Sequence, residues 1–217
     1  MNAIFKPVEP SPRLSVRTLA NFMQLRGVEQ QKLLHDQKYP RQAPQVFKQP
    51  YYAPPLKGIR GFLQSGTVAL IDARADFQRL TQAARRIHCN RVLESFVRSE
   101  HSARGLKPVS SPRFYANARG LEIRLSPDLV AMEGDVRKFI FFNCRDRESH
   151  PETVRLTLEL AQWLLEENGF SIKPNEVEYI DLFTNVLYVG RKVRKSTLKE
   201  LDDHARLIEL IWPSLDP

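Results

Sequence analysis

An unbroken run of four apolar residues, Phe139-Ile140-Phe141-Phe142, constrains the fold of this chain more than any other feature. The run lies in the segment from Val136 to Cys144, which follows the turn sequence Glu133-Gly134-Asp135. A strand with one solvated face alternates apolar and polar residues, whereas an unbroken apolar run is typical of a strand buried on both faces. We therefore expect this strand to lie inside a sheet that is covered on both sides.

Periodicity predicts the elements around this strand. Apolar residues at helical spacing predict helices at 15–25, 29–37, 56–67 and 72–101, the last as one helix or as two joined near Cys89-Asn90. Alternating residues and turn signals predict strands at 121–125, 128–132, 177–182 and 186–193. Two capping boxes, Ser149 with Glu152 and Thr197 with Glu200, predict the last two helices. This order of elements predicts an α/β fold.

Prolines are concentrated at the N-terminal end of the chain. Eight of the fifteen lie in residues 1–60. Because proline fixes φ and lacks a backbone N–H, these stretches must be irregular or extended. We expect residues 1–60 to form a basic, proline-rich arm with two short helices, and residues 61–217 to form the α/β core domain.

The charge of the chain is uneven. The 217 residues include 33 Lys and Arg against 25 Asp and Glu, which gives a net charge of +8. Residues 1–60 carry +7 and residues 61–150 carry +5, whereas residues 151–217 carry −4. A basic surface attracts polyanions, so we expect DNA or RNA as a partner.

Two basic sequences are candidates for contacts with phosphate groups. The first comprises Arg191, Lys192, Arg194 and Lys195, between a predicted hairpin strand and the last predicted helix. The alternative interpretation of this segment is a solvated turn that balances Asp202 and Asp203. The second candidate comprises Arg85, Arg86 and Arg91, in the helical segment 72–101.

Several classes of function lack their sequence signatures. The chain has no GxxxxGK[ST], GxGxxG or GxSxG sequence, so nucleotide hydrolysis, dinucleotide binding and serine-hydrolase chemistry have no support. Its five histidines have no H-x-x-x-H spacing, and Cys89 and Cys144 have no C-x-x-C spacing. Without a long apolar run or a signal-peptide core, we expect a cytoplasmic protein with no membrane partner.

From residue 72 onward the predicted order is helix, three strands, helix and strand, with a hairpin strand and a helix appended. This αβββαβ order resembles the PD-(D/E)XK nuclease superfamily, which has the restriction-endonuclease-like fold, over roughly residues 70–190. The resemblance implies a Pro-Asp pair at the second core strand, an acid and a lysine on the next strand, and a glutamate on the first helix. In that superfamily such carboxylates hold Mg²⁺ or Mn²⁺ for phosphodiester hydrolysis.

The residues match one half of this signature. Pro127-Asp128 stands at the second strand, and Glu94 lies in the first helix, so the resemblance implies Asp128 and Glu94 as metal ligands. On the third strand, Phe141 and Asn143 occupy the positions of the acid and the lysine. Neither can replace the expected group, because phenylalanine cannot ligate a metal and asparagine is not a base near neutral pH. Lys138 is a relocated lysine only if the strand register shifts.

Three functions remain open at this point. The preferred hypothesis is a nucleic-acid-associated protein with a nuclease-like fold and a degenerate catalytic site. The second is an active nuclease that requires Mg²⁺ or Mn²⁺ and uses Asp128, Glu94 and Lys138. The third is a protein-interaction module without enzymatic activity.

Overall fold

The computed structural model describes residues 11–40 and 51–216 and has a mixed α/β fold, which confirms the predicted class. The helices of these residues are α1 (Val16–Gln24), α2 (Val28–Lys38), α3 (Ala53–Ser65), α4 (Thr67–Gln78), α5 (Ala83–Arg98), α6 (Pro151–Glu167) and α7 (Lys195–Ile211). The strands are β1 (Arg13–Ser15), β2 (Lys107–Pro108), β3 (Tyr115–Ala118), β4 (Leu121–Arg124), β5 (Leu129–Glu133), β6 (Val136–Asn143), β7 (Val177–Asp181) and β8 (Val186–Val189).

The apolar run forms the centre of the larger sheet, whose strand order is β2-β5-β6-β7-β8. Phe139 and Phe141 pack into a core cluster on one face, together with residues of α1, α6 and α7. Ile140 and Phe142 pack into a second cluster on the other face, against residues of α3, α4 and α5. All four side chains are at most 2% exposed, which confirms the prediction of burial on both faces.

Strand β4 departs from the predicted arrangement. The expected order places it beside β5 as the first of three meandering strands, but it belongs to a second sheet with the order β1-β4-β3. The neighbour of β5 is instead the short strand β2, with Lys107 opposite Met132. Two features explain the difference: Pro127 has no N–H with which to continue a ladder, and Leu121 and Ile123 are fully buried in the first core cluster.

The described part of the predicted N-terminal arm contributes to the core. Ser15 caps α1, as expected, by accepting a hydrogen bond from the Thr18 N–H at 3.1 Å. Val16, Leu19 and Phe22 are fully buried in the first core cluster, since they form the apolar side of an amphipathic helix. Residue 60, the predicted boundary, lies within α3. The remaining residues of the predicted arm, 1–10 and 41–50, lie outside the described residues.

Two predicted capping boxes do not form, because their hydroxyl groups bind elsewhere. The Ser149 hydroxyl lies 2.9 Å from the Tyr179 hydroxyl, and α6 begins with Pro151 at its first turn. The Thr197 hydroxyl donates to the buried carboxylate of Glu159 on α6. That carboxylate also accepts from the Arg194 N–H at 3.2 Å, and so it fixes the start of α7.

The strand directions define two ends of the larger sheet. β5 is antiparallel to β6, and β7 is parallel to it. The residue before β5, Asp128, therefore lies at the same end as Asn143 and Asp181, the last residues of β6 and β7. We call this the Asp128 end. Since β8 is antiparallel to β7, it leads away from the Asp128 end, and Gly190 follows at the opposite end.

None of the helices in residues 11–40 and 51–216 is both long enough and apolar enough to span a bilayer.

Gly190 provides a test of how the chain passes from β8 to α7. A Cβ atom at this position would lie 2.3 Å from the Pro174 carbonyl oxygen, so the Gly190→Ala variant must displace the backbone. We expect it to lower the free energy of unfolding by about 1–3 kcal/mol, measured by urea denaturation. The matched control is Gly61→Ala in α3, where the nearest contact is 3.4 Å and alanine favours the helix. An equal effect of the two substitutions would contradict this close approach.

Candidate nucleic-acid interface

Asp128 is held by contacts from its own sheet and from α1. Its backbone N–H donates to the Ile140 carbonyl at 2.9 Å. Its Oδ2 accepts from the Phe142 N–H at 2.7 Å and from the Arg17 guanidinium. The side chain is 14% exposed, so both contacts are partly shielded from water. The carboxylate is therefore committed to a backbone amide and to a fixed cation.

Arg17 supplies that cation from a helix 111 positions away in sequence. Its Cζ lies 5.4 Å from the centroid of the Phe141 ring, so the guanidinium lies over the aromatic ring while it contacts Asp128. Burial opposes the charge of Arg17, but Asp128, together with Tyr179 and Cys144, raises the pKa of Arg17 above its usual value. The cation is thus a permanent part of the Asp128 end.

Phe141 and Asn143 occupy the two positions at which the nuclease resemblance implies an acid and a lysine. Phe141 is fully buried, and Asn143 is 3% exposed. The Asn143 amide donates to Asp181 Oδ2 at 2.9 Å and to the Arg147 carbonyl at 2.7 Å. Asn143 therefore fastens the loop after β6 to the end of β7.

Asp181 has a structural role at this end of the sheet. Its carboxylate is fully buried. Besides the Asn143 amide, it accepts from three backbone N–H groups, those of Ser149 at 2.9 Å, Phe183 at 2.9 Å and Thr184 at 3.3 Å. A buried carboxylate is stable when donors satisfy its oxygens. Asp181 thus joins the loops that follow β6 and β7.

The residues present do not fit the divalent ion that the nuclease resemblance implies. Magnesium is held through carboxylate oxygens that remain open to it, but the oxygen of Asp128 that faces its neighbours already binds Arg17 and a backbone amide. Glu94 lies on α5, 41% exposed and 3.6 Å from both Arg74 and Arg98. Among the described residues, no group of three or more His, Cys, Asp or Glu side chains could hold a metal.

Lys138 is not brought to Asp128. It precedes Phe142 by four residues on β6, which corresponds to about 13 Å of strand. Its Nζ lies 2.8 Å from Glu178 Oε1 and donates to the Asn175 carbonyl at 2.9 Å. The register does not shift, since Lys138 lies opposite Ala131. Its charge is neutralised within a separate ionic cluster, so the relocated-lysine hypothesis has no geometric support.

Instead, arginines from both faces of the sheet converge on the Asp128 end. Arg60 of α3 donates through Nε to the Asp128 carbonyl at 3.2 Å. Arg91 of α5 donates through Nη2 to the Cys144 carbonyl at 3.4 Å. Two further arginines are exposed on the loop after β6. We call this set the arginine cluster: Arg17, Arg60, Arg91, Arg145 and Arg147.

The charge of the cluster is only partly balanced. Arg17 is paired with Asp128, but no described carboxylate forms an ion pair with any of the other four arginines. The remaining acids at this end are the buried Asp181 and the exposed Asp146 and Glu148. Arg60 and Arg91 bind carbonyl oxygens, which satisfies their donors without cancelling their charge. The Asp128 end therefore presents guanidinium groups whose positive charge is available to an anion.

The predicted basic segment is also exposed. Arg191, Lys192 and Lys195 have no side-chain partner within the described ranges, whereas Arg194 Nε lies 3.4 Å from Glu159 Oε1. The segment begins after Gly190, at the end of the sheet opposite to Asp128, and runs back along α6 to Glu159. Within the described residues, its side chains make no contact with the arginine cluster.

Arg85 and Arg86, of the second predicted set, differ in their contacts. Arg86 donates through Nη1 to the Leu80 carbonyl at 2.7 Å and the Thr81 carbonyl at 3.3 Å, so it holds the turn between α4 and α5. That turn, at residues 79–82, divides the predicted 72–101 helix, so the expected junction near Cys89-Asn90 is wrong: both residues lie inside α5. The Cζ of Arg85 lies 5.3 Å from the centroid of the Tyr51 ring.

Sequence reasoning did not find Arg17 or Arg60 as site residues. Both lie far from Asp128 in sequence, and no local spacing connects them to it. Asp181 had only a weak signal in the sequence, as a carboxylate at the end of the strand Val177–Asp181.

Comparisons with known proteins assign no function to this geometry. No protein-family model matches the chain, and no curated protein matches it at a significant level. The nuclease resemblance therefore stays a prediction that depends on the order of elements and on Pro127-Asp128.

The pairing of Arg17 with Asp128 can be measured by a double-mutant cycle. We expect a coupling free energy of about 1 kcal/mol between Arg17→Met and Asp128→Asn in the unfolding equilibrium. This value is smaller than that of a fully buried ion pair because the Arg17 side chain is 36% exposed. Asparagine retains an acceptor for the Phe142 N–H, so the cycle isolates the ion pair.

The control cycle uses a solvent-exposed pair of a cation and an aspartate. Lys57 and Asp76 lie 3.1 Å apart with side chains 80% and 43% exposed, and we expect Lys57→Met and Asp76→Asn to couple by about 0.2–0.5 kcal/mol. A coupling at Asp128 no greater than in this control would show that Asp128 is free to bind another cation.

Proposed function

We propose that this protein binds nucleic acid through the arginine cluster and does not cleave it at Asp128. The observation that carries the proposal is that guanidinium groups from α1, α3 and α5 lie at one end of the sheet, where Arg17 binds the Asp128 carboxylate, Arg60 the Asp128 carbonyl and Arg91 the Cys144 carbonyl. These arginines satisfy carbonyl oxygens and the Asp128 carboxylate, but the charges of Arg60 and Arg91 keep no carboxylate partner among the described residues. A phosphate group can supply that partner.

The chemistry of the cluster suits phosphate. Guanidinium is planar, always charged and able to donate two parallel hydrogen bonds to one phosphate group. Arg60, Arg145 and Arg147 are exposed at the surface of this end, and the net charge of +8 adds a long-range attraction for polyanions. Backbone phosphates are recognised in this way without regard to base sequence.

The same residues support binding without hydrolysis. Hydrolysis in the nuclease superfamily depends on a carboxylate pair and a lysine. Here Phe141 and Asn143 stand at the positions of the acid and the lysine, and Arg17 binds Asp128. An arginine cannot act as the base that activates water near neutral pH, because it stays protonated. A protein with this arrangement holds a phosphate group but lacks the means to attack it.

Binding is tested by fluorescence anisotropy with labelled DNA and RNA. With four phosphate contacts, we expect the affinity to fall by about 100-fold between about 50 mM and about 200 mM salt. The triple variant Arg60→Ala, Arg145→Ala and Arg147→Ala should bind at least tenfold more weakly and show a shallower salt dependence.

Two variants with the same loss of charge serve as controls. Alanine at Lys32, Lys199 and Arg206, exposed on α2 and α7, should change the affinity little. Alanine at Arg191, Lys192 and Lys195 tests the basic segment found from sequence. If only this last variant loses binding, the phosphate contacts lie on the basic segment and the role of the arginine cluster is wrong. If the wild type binds neither DNA nor RNA, the proposal as a whole is wrong.

Cleavage is tested separately with Mg²⁺ or Mn²⁺ present. We expect single-stranded and duplex substrates to remain intact on electrophoresis, with the same result for the wild type and for Asp128→Asn. Cation-dependent nicking by the wild type that disappears in Asp128→Asn would establish the active-nuclease hypothesis instead. Nicking that persists in Asp128→Asn would indicate a contaminating nuclease.

A further inference from the structure

Three aromatic rings form a contact group beside the arginine cluster. Tyr51 and Tyr52 precede α3, and His88 lies on α5. The ring centroids are 5.4 Å apart for Tyr51 and Tyr52, 5.4 Å for Tyr51 and His88, and 5.5 Å for Tyr52 and His88. All three residues are partly exposed. We call them the ring triad.

Cations border the ring triad on more than one side. Arg85 lies over Tyr51, and Arg91 Nη2 lies 3.2 Å from His88 Nδ1. The same guanidinium of Arg91 reaches the Cys144 carbonyl, which connects the triad to the Asp128 end. Burial raises the pKa of Tyr52, and the charge of Arg145 lies close enough to oppose that rise. The triad and the arginine cluster are therefore parts of one continuous surface.

His88 acts in this surface as an uncharged ring near neutral pH. Burial and the neighbouring charge of Arg91 lower its pKa, although Asp146 opposes the shift. A neutral imidazole adds a flat aromatic surface without adding further repulsion toward the arginines.

We propose that the ring triad stacks against unpaired bases, so that the ligand of this protein is single-stranded nucleic acid. The inference rests on the proposed function, because it takes the phosphate contacts of the arginine cluster as given. Phosphates and bases alternate along a single strand, and a surface with guanidinium groups beside aromatic rings matches that alternation. In a duplex the bases stack on one another, and their faces are not open to a tyrosine.

Affinity for matched ligands tests this inference. The probes are a labelled DNA strand, the RNA strand of the same sequence, and the duplex of that DNA. We expect the wild type to bind at least one single strand tenfold or more tightly than the duplex. The double variant Tyr51→Leu and Tyr52→Leu should lose about tenfold or more of that affinity. Phenylalanine at both positions keeps the rings and should retain it.

A control variant and a second measurement guard against loss of structure. Tyr115, 43% exposed on β3, gives the control Tyr115→Leu, which should bind normally. Photocrosslinking of a 5-bromouracil single strand to the wild-type protein needs no variant. We expect the adduct on the tryptic peptides 49–57 or 87–91, which contain the ring triad.

The outcomes separate the two proposals. If duplex and single strands bind equally, or if the leucine variant binds as the wild type does with the adduct elsewhere, the stacking inference is wrong. In that case weaker binding by the Arg60, Arg145 and Arg147 variant still supports the proposed function. If no nucleic acid binds, both proposals fail. If a single strand does bind, the comparison of the DNA strand with the RNA strand shows which sugar the surface accepts.

Discussion

The burial of β6 on both faces is the constraint on which the two helical layers of the described residues depend. A fully buried phenylalanine contributes about 1.5–3 kcal/mol through the area it removes from water, and β6 has three of them within four residues. Because Phe139 and Phe141 face one layer and Ile140 and Phe142 the other, neither layer can be removed without exposing the strand. One strand thus fixes helices on both sides of the sheet.

The site follows from this arrangement. Where a sheet ends, strand carbonyls lose their ladder partners and need other donors. Here Arg60 and Arg91 supply them from helices on one face, while Arg17 reaches the same end from the other face. Satisfying carbonyls with guanidinium groups has an electrostatic result, because each such contact leaves a full positive charge at the surface. The arginines that satisfy the strand-end carbonyls are therefore also the source of the positive charge at this end of the sheet.

Local patterns in the sequence predict where the helices and strands lie. They predict less well which elements and side chains contact one another. Period-two alternation finds β4 and β5, but nothing in Leu121–Arg124 says which sheet that strand joins. The Ser149 and Thr197 hydroxyls look like helix caps in sequence and instead bind Tyr179 and Glu159, which are distant along the chain. The absence of an acid at Phe141 is visible from sequence, whereas the cation beside Asp128 is not, because Arg17 arrives through tertiary packing.

Arg17 reaches Asp128 from α1, so the pairing of this carboxylate depends on a helix that lies far away in sequence. Val16, Leu19 and Phe22 bury the apolar side of α1, and the same packing brings the guanidinium to the Asp128 end. The docking of one nine-residue helix therefore determines whether Asp128 has a cation as its partner.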